Sequence, residues 1–116
     1  MCFVENRRNK FEKVDSLYGI EMDLMDTYHN TDILEDEFLF RITYENFCSL
    51  NVTAREMRHH LNKTDEYDEI LRSGLDYIIR TSTVMIVLMK KKKPELCKPH
   101  LIRKEINNES NISTAS

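Results

Sequence analysis

Apolar residues recur with helical spacing in three stretches of this chain, and most cleanly over residues 67–89. There Tyr67, Ile70, Leu71, Gly74, Leu75, Ile78, Ser82, Met85 and Met89 stand three or four residues apart, which puts them on one side of an α-helix. Thr64 suits an N-cap, Asp65 and Glu66 suit the positive end of the helix dipole, and Pro94 stops the pattern. The second half of this segment adds Ile79, Val84, Ile86, Val87 and Leu88, so it is apolar almost all round. Its β-branched residues would also suit a strand over 81–88, but the length of the whole stripe favours a helix.

Two earlier segments follow the same spacing. Val14, Leu17, Tyr18, Leu24, Met25 and Tyr28 make one stripe over 11–28, interrupted only by Glu21. Asp32 and Glu35 have the spacing of a capping box and predict a second helix opening at residue 31 or 32. Phe38, Phe40, Ile42 and Tyr44 alternate as in a strand, whereas Leu34, Phe38, Ile42 and Phe47 suit a helix. With no partner strand and no hairpin turn in sight, the helix is preferred. A second capping box, Thr53 with Glu56, predicts a separate short helix over 54–61 with Ala54, Met57 and Leu61 inward.

Composition narrows the fold class. Only 2 Gly and 2 Pro in 116 residues leave little material for tight turns and disfavour an all-β architecture. The expected fold is all-α: a small bundle of about four helices in one domain over residues 1–93, its last helix long and apolar, followed by a disordered polar and basic tail over 94–116. Leu101, Ile102 and Ile106 are the few residues of that tail with a hydrophobic basis for docking. Cys2, Cys48 and Cys97 are too few and scattered for a disulfide framework. The N-terminus turns charged at once and holds no leader-like apolar stretch, and no apolar run reaches the ~20 residues of a membrane span. These features lead us to expect an intracellular protein, nuclear or cytoplasmic and not secreted. The sequons at Asn51, Asn62, Asn108 and Asn111 then read as accidents of an Asn-rich composition.

A net charge of −3 conceals a polarised chain. Residues 14–50 carry one Arg against nine Asp and Glu, whereas residues 81–116 carry seven Lys and Arg against three Glu. An acidic middle and a basic end can attract each other within one chain, between copies, or toward separate partners.

Candidate chemistry is thin. Arg55, Arg58, His59, Asn62 and Lys63 share one face of the short helix predicted over 54–61, with residues 49–52 as a turn before it. That is the pattern of a helix-turn-helix recognition helix, although phosphates would repel the acidic segment preceding it. Cys97 and His100 have the spacing of half a metal site, and no second pair repeats it, so no metal is expected. The four histidines come without a glycine-rich elbow, a phosphate loop or paired catalytic carboxylates, so neither a catalytic residue nor a cofactor is assigned. Lys90, Lys91, Lys92 and Lys93 fit a helix C-terminus and also the form of a nuclear localisation signal.

What remains is the apolar excess near the end of the long helix. Shorter helices in so small a domain cover one stripe of it more easily than its whole circumference. Tyr77, Val84, Met85, Val87, Leu88 and Met89 are therefore the expected contact residues for another protein or a second copy. The function expected is a non-enzymatic interaction module, an adaptor or small subunit of a larger complex. The alternative is a helix-turn-helix regulator using Arg55, Arg58, His59 and Lys63.

Overall fold

The computed structural model describes residues 2–30 and 32–97, with side chains from Arg7 onward. Among the described residues the structure is helical and contains no strand. Helix α1 spans Cys2–Asn30, α2 Glu37–His59 and α3 Glu66–Lys92, with short 3-10 turns at Ile33–Glu35 and Pro94–Leu96. The helical choice for the ambiguous stretch around Phe38 and Tyr44, and for residues 81–88, is the one the structure takes.

Three helices stand where about four were expected. Residues 54–61 do not form a helix of their own: 54–59 are the last turns of α2, which runs unbroken through residues 49–53. The capping-box spacing of Thr53 and Glu56 misled because it carries no instruction to break the helix before it. No Gly or Pro interrupts residues 37–60, and Leu50 and Ala54 on either side of Thr53 are both buried. The helix starts also shift. Asp36, not residue 31 or 32, caps α2 by accepting the Leu39 N–H at 3.0 Å, and Asp65, not Thr64, caps α3 by accepting the Tyr67 N–H at 2.8 Å. Thr64 instead donates to Asn62 Oδ1 in the turn between the helices. At the other boundary, order continues past residue 93. The Pro94–Leu96 turn folds back and buries Cys97, and the remainder of the predicted tail, residues 98–116, lies outside the described residues.

Cross-helix contacts give the topology. Lys10 meets Asp68, Val14 lies beside Gly74 and Tyr18 beside Tyr77, so α1 runs parallel to α3. The Asn62 N–H meets Asp68, Arg58 meets Asp76 and Asn51 meets Ser82, so α2 runs antiparallel to both. The core takes Leu17 and Leu24 from α1, Phe40, Tyr44, Phe47 and Leu50 from α2, and Leu75, Ile78, Met85 and Met89 from α3. Helix α2 thus buries only Phe47 of the Leu34, Phe38, Ile42 and Phe47 row that suggested a helix, and leaves Phe38 and Ile42 outward. Phe40 and Phe47 are fully buried, whereas Phe38 is 73% exposed.

Polar residues fix the register. Asn51 reaches from α2 to the middle of α3, where its amide donates to the Ile79 carbonyl at 3.1 Å and the Ser82 hydroxyl at 2.9 Å. Its own oxygen accepts from Arg55 Nε at 2.8 Å. The molecule measures 54 × 39 × 20 Å. Its short axis is only about two helix diameters, so the helices form a slab and do not enclose one another. Each keeps one side in water, and that consequence governs α3.

Candidate functional site

The buried row of α3 is Leu71, Leu75, Ile78, Ser82, Met85 and Met89, spaced alternately by four and three residues. That spacing keeps one stripe of a helix against its neighbours. A second row lies one residue earlier at most of these positions: Ile70, Tyr77, Val84 and Leu88, rotated by about 100° about the helix axis. These four are 68%, 49%, 52% and 40% exposed, and Val87 on the adjoining flank is also exposed. Tyr77 lies beside the Tyr18 ring of α1, the two centroids 6.2 Å apart.

The expected contact residues therefore divide. Tyr77, Val84, Val87 and Leu88 stand on the outer surface. Met85 and Met89 do not: they are 4% and 0% exposed and belong to the core between the helices. Sequence marked both sets as apolar, but one helical step separates the side that α1 and α2 cover from the side they leave open.

Electrostatics distinguish the two ends of this surface. Toward the C-terminus it is basic, with Arg80, Lys90, Lys91 and Lys92 exposed and Lys93 capping the helix. Arg55 and Arg58 from α2 join Arg80 around a shallow cleft of about 480 Å³ that ends at Val84. Arg58 donates to Asp76 at 2.7 Å across that cleft. The residues proposed for reading nucleic acid are thus partly occupied, Arg58 by Asp76 and Arg55 by Asn51. His59 is exposed at the end of α2 and Lys63 is exposed in the following turn, off the helix altogether. The turn that a helix-turn-helix needs is absent, because α2 passes straight through 49–52.

A second exposed apolar surface, missed by the sequence reading, opens at the start of α2. Phe38, Ile42 and Leu96 border a groove of about 540 Å³ together with Glu37, Arg41 and Glu45. Phe38 has the highest exposure of any large apolar side chain among the described residues. The alternation of Phe38, Phe40, Ile42 and Tyr44 was its signal, because a helix cannot bury four residues spaced by two on one face.

Two buried carboxylates complete the inventory. Asp68 is fully buried, and it accepts from Lys10 Nζ at 3.0 Å and from the Asn62 N–H at 2.7 Å. Burial pushes its carboxyl up, but the Asn62 N–H, Lys10 and Arg72 together outweigh that and hold it below the ordinary carboxylate value. Glu21 is 1% exposed in the middle of α1, its Oε2 has no hydrogen-bond partner, and burial pushes its carboxyl up to about 7. Burial also pushes the Cys97 thiol up to about 11 and raises that of Cys48, which disfavours the thiolate that would bind metal. No group of three or more His, Cys, Asp or Glu side chains among the described residues could hold a metal ion, and His100 lies outside them.

No family model, curated protein or solved structure matches this chain. No helix among the described residues is long and apolar enough to cross a membrane.

Proposed function

We propose that this chain is a non-enzymatic protein-interaction module, an adaptor or small subunit, that binds a partner through the outer face of α3. One observation carries the reading. Tyr77, Val84, Val87 and Leu88 are each 40% exposed or more within 12 residues of one helix, whose inner face is already filled. Isolated apolar residues on a surface need no explanation, but a row of them along one helix does. Covering such a row removes apolar surface from water at about 25 cal/mol per Å², and an aromatic such as Tyr77 supplies contact area at low entropic cost.

The test is a double substitution, Val84→Glu with Leu88→Glu, in the full chain. Both side chains are at least 40% exposed, so the helical circular dichroism and the unfolding midpoint should change little. Co-purification with the partner from native cells should be lost. Retention of every complex by the folded double variant would refute the reading.

A further inference from the structure

We infer that the partner on the α3 face is a second copy of this chain, which docks there with the acidic, apolar start of its α2. The inference rests on the α3 reading above and adds the occupant. Its basis is that the exposed apolar row of α3 and the exposed apolar groove at the start of α2 carry opposite charge beside them. The α3 surface is a ridge, with Val84, Val87 and Leu88 projecting from a helix that ends in Lys90, Lys91 and Lys92. The α2 surface is a hollow of about 540 Å³ lined by Phe38, Ile42 and Leu96 with Glu37, Arg41 and Glu45, and the exposed acidic residues Glu35 and Asp36 directly precede it in the chain. A ridge of Val and Leu side chains fills such a hollow, and the lysines then lie beside the carboxylates.

The charges are available for this. Among the described residues, the ion pairs are Arg7–Asp65, Lys10–Asp68 and Arg58–Asp76, and Glu35, Glu37, Lys91 and Lys92 take part in none of them. Both surfaces also sit at the same end of the slab, because α2 and α3 are antiparallel and Leu96 returns beside Phe38. A two-fold axis near that end can seat each ridge in the partner's hollow at once, giving a closed dimer in place of a chain of copies. Face-to-face pairing of α3 with α3 side by side in parallel would set one lysine run against the other, which like-charge repulsion disfavours.

The experiment is sedimentation equilibrium of the full chain at low salt, up to about 100 μM. A mass of twice 13.9 kDa is expected, with association weakening as salt rises. Glu35→Lys with Glu37→Lys, and separately Lys91→Glu with Lys92→Glu, should each weaken association by at least about tenfold. Combining all four substitutions in one chain should restore it. Phe38→Glu should also give a monomer, and at 73% exposure it does so without unfolding the bundle.

A monomeric wild-type chain at the highest concentration overturns the inference and leaves the α3 reading to its own co-purification test. A dimer lost on Val84→Glu with Leu88→Glu but indifferent to Phe38→Glu and to the Glu35/Glu37 reversal keeps the α3 face and overturns the α2 occupant. A dimer indifferent to all of these overturns the inference and places self-association on a surface other than the α3 face.

Discussion

Asp68 and Glu21 are both carboxylates removed from water inside the same three-helix slab, and the structure treats them oppositely. Asp68 lies where α1, the turn after α2 and the start of α3 meet, so an ammonium and a backbone N–H converge on it. Glu21 lies mid-helix among apolar neighbours of the α1 stripe, where backbone N–H groups are already committed to the helix. The difference teaches that burial alone does not decide whether a carboxylate holds a fold together. Access to unused donors does, and those occur at helix ends and on long basic side chains.

The comparison can be broken most directly at Asp68. Asp68→Ala should cost about 3 kcal/mol, because it removes the buried anion and strands both the Asn62 N–H and the Lys10 ammonium that pair with it. The check is the shift in urea midpoint at pH 7, and a loss under about 1 kcal/mol would show that the network is redundant. Glu21 should respond with the opposite sign. Its folded value of about 7 stands above the ordinary 4.5, so the folded state holds the proton longer than the unfolded chain does. Stability is then highest below about pH 4.5, falls as pH rises toward 7, and carries the full penalty above it. Glu21→Gln should flatten that fall and raise stability at pH 8 by about 2 kcal/mol, read from unfolding curves across pH. Asp68 acts on the acid side: its contribution is present at neutral pH and disappears as pH drops through its depressed value.

Two smaller effects sharpen the contrast. Asn51→Ala removes the amide that links α2 to Ile79 and Ser82 on α3, and should cost about 1 kcal/mol by thermal unfolding. Ser82 keeps its own bond to the Ile79 carbonyl, which limits the loss. Arg58→Ala breaks a pair whose members are each 37% exposed, and should change stability by under about 0.5 kcal/mol. Should the Arg58 substitution cost as much as the Asp68 one, exposure would not be the variable that separates them.

Much of the helical content was legible along the chain. The α3 stripe named its buried row correctly at Leu71, Leu75, Ile78, Ser82, Met85 and Met89, and it erred at Ile70, which is 68% exposed. The α1 stripe located Leu17 and Leu24, while the helix itself continues back to Cys2 because nothing before Phe11 opposes it. The capping signals at Thr53 and Thr64 were the weakest guides. Ser and Thr also occur inside helices and turns, and a local pattern does not say which hydrogen-bond partner wins.

The candidate site was half legible. Apolar excess in residues 77–89 announced that something must cover that helix, and Tyr77, Val84, Val87 and Leu88 do face water. Nothing in the spacing separated them from Met85 and Met89, because neighbouring rows on an apolar helix look alike until other helices choose one. The groove under Phe38 and Leu96 was invisible for a stronger reason, since its walls lie 58 residues apart in sequence and meet only when the Pro94–Leu96 turn folds back.

Helix type, the length of α3 and the polarity of charge along the chain thus followed from local periodicity and composition. These depend on residues within one or two turns of each other. The number of helices, the side of each that is buried, and the fates of Asp68 and Glu21 were set by packing. A burial cost or a shared proton donor exists only between segments distant in sequence, and those become neighbours only once the three helices lie together.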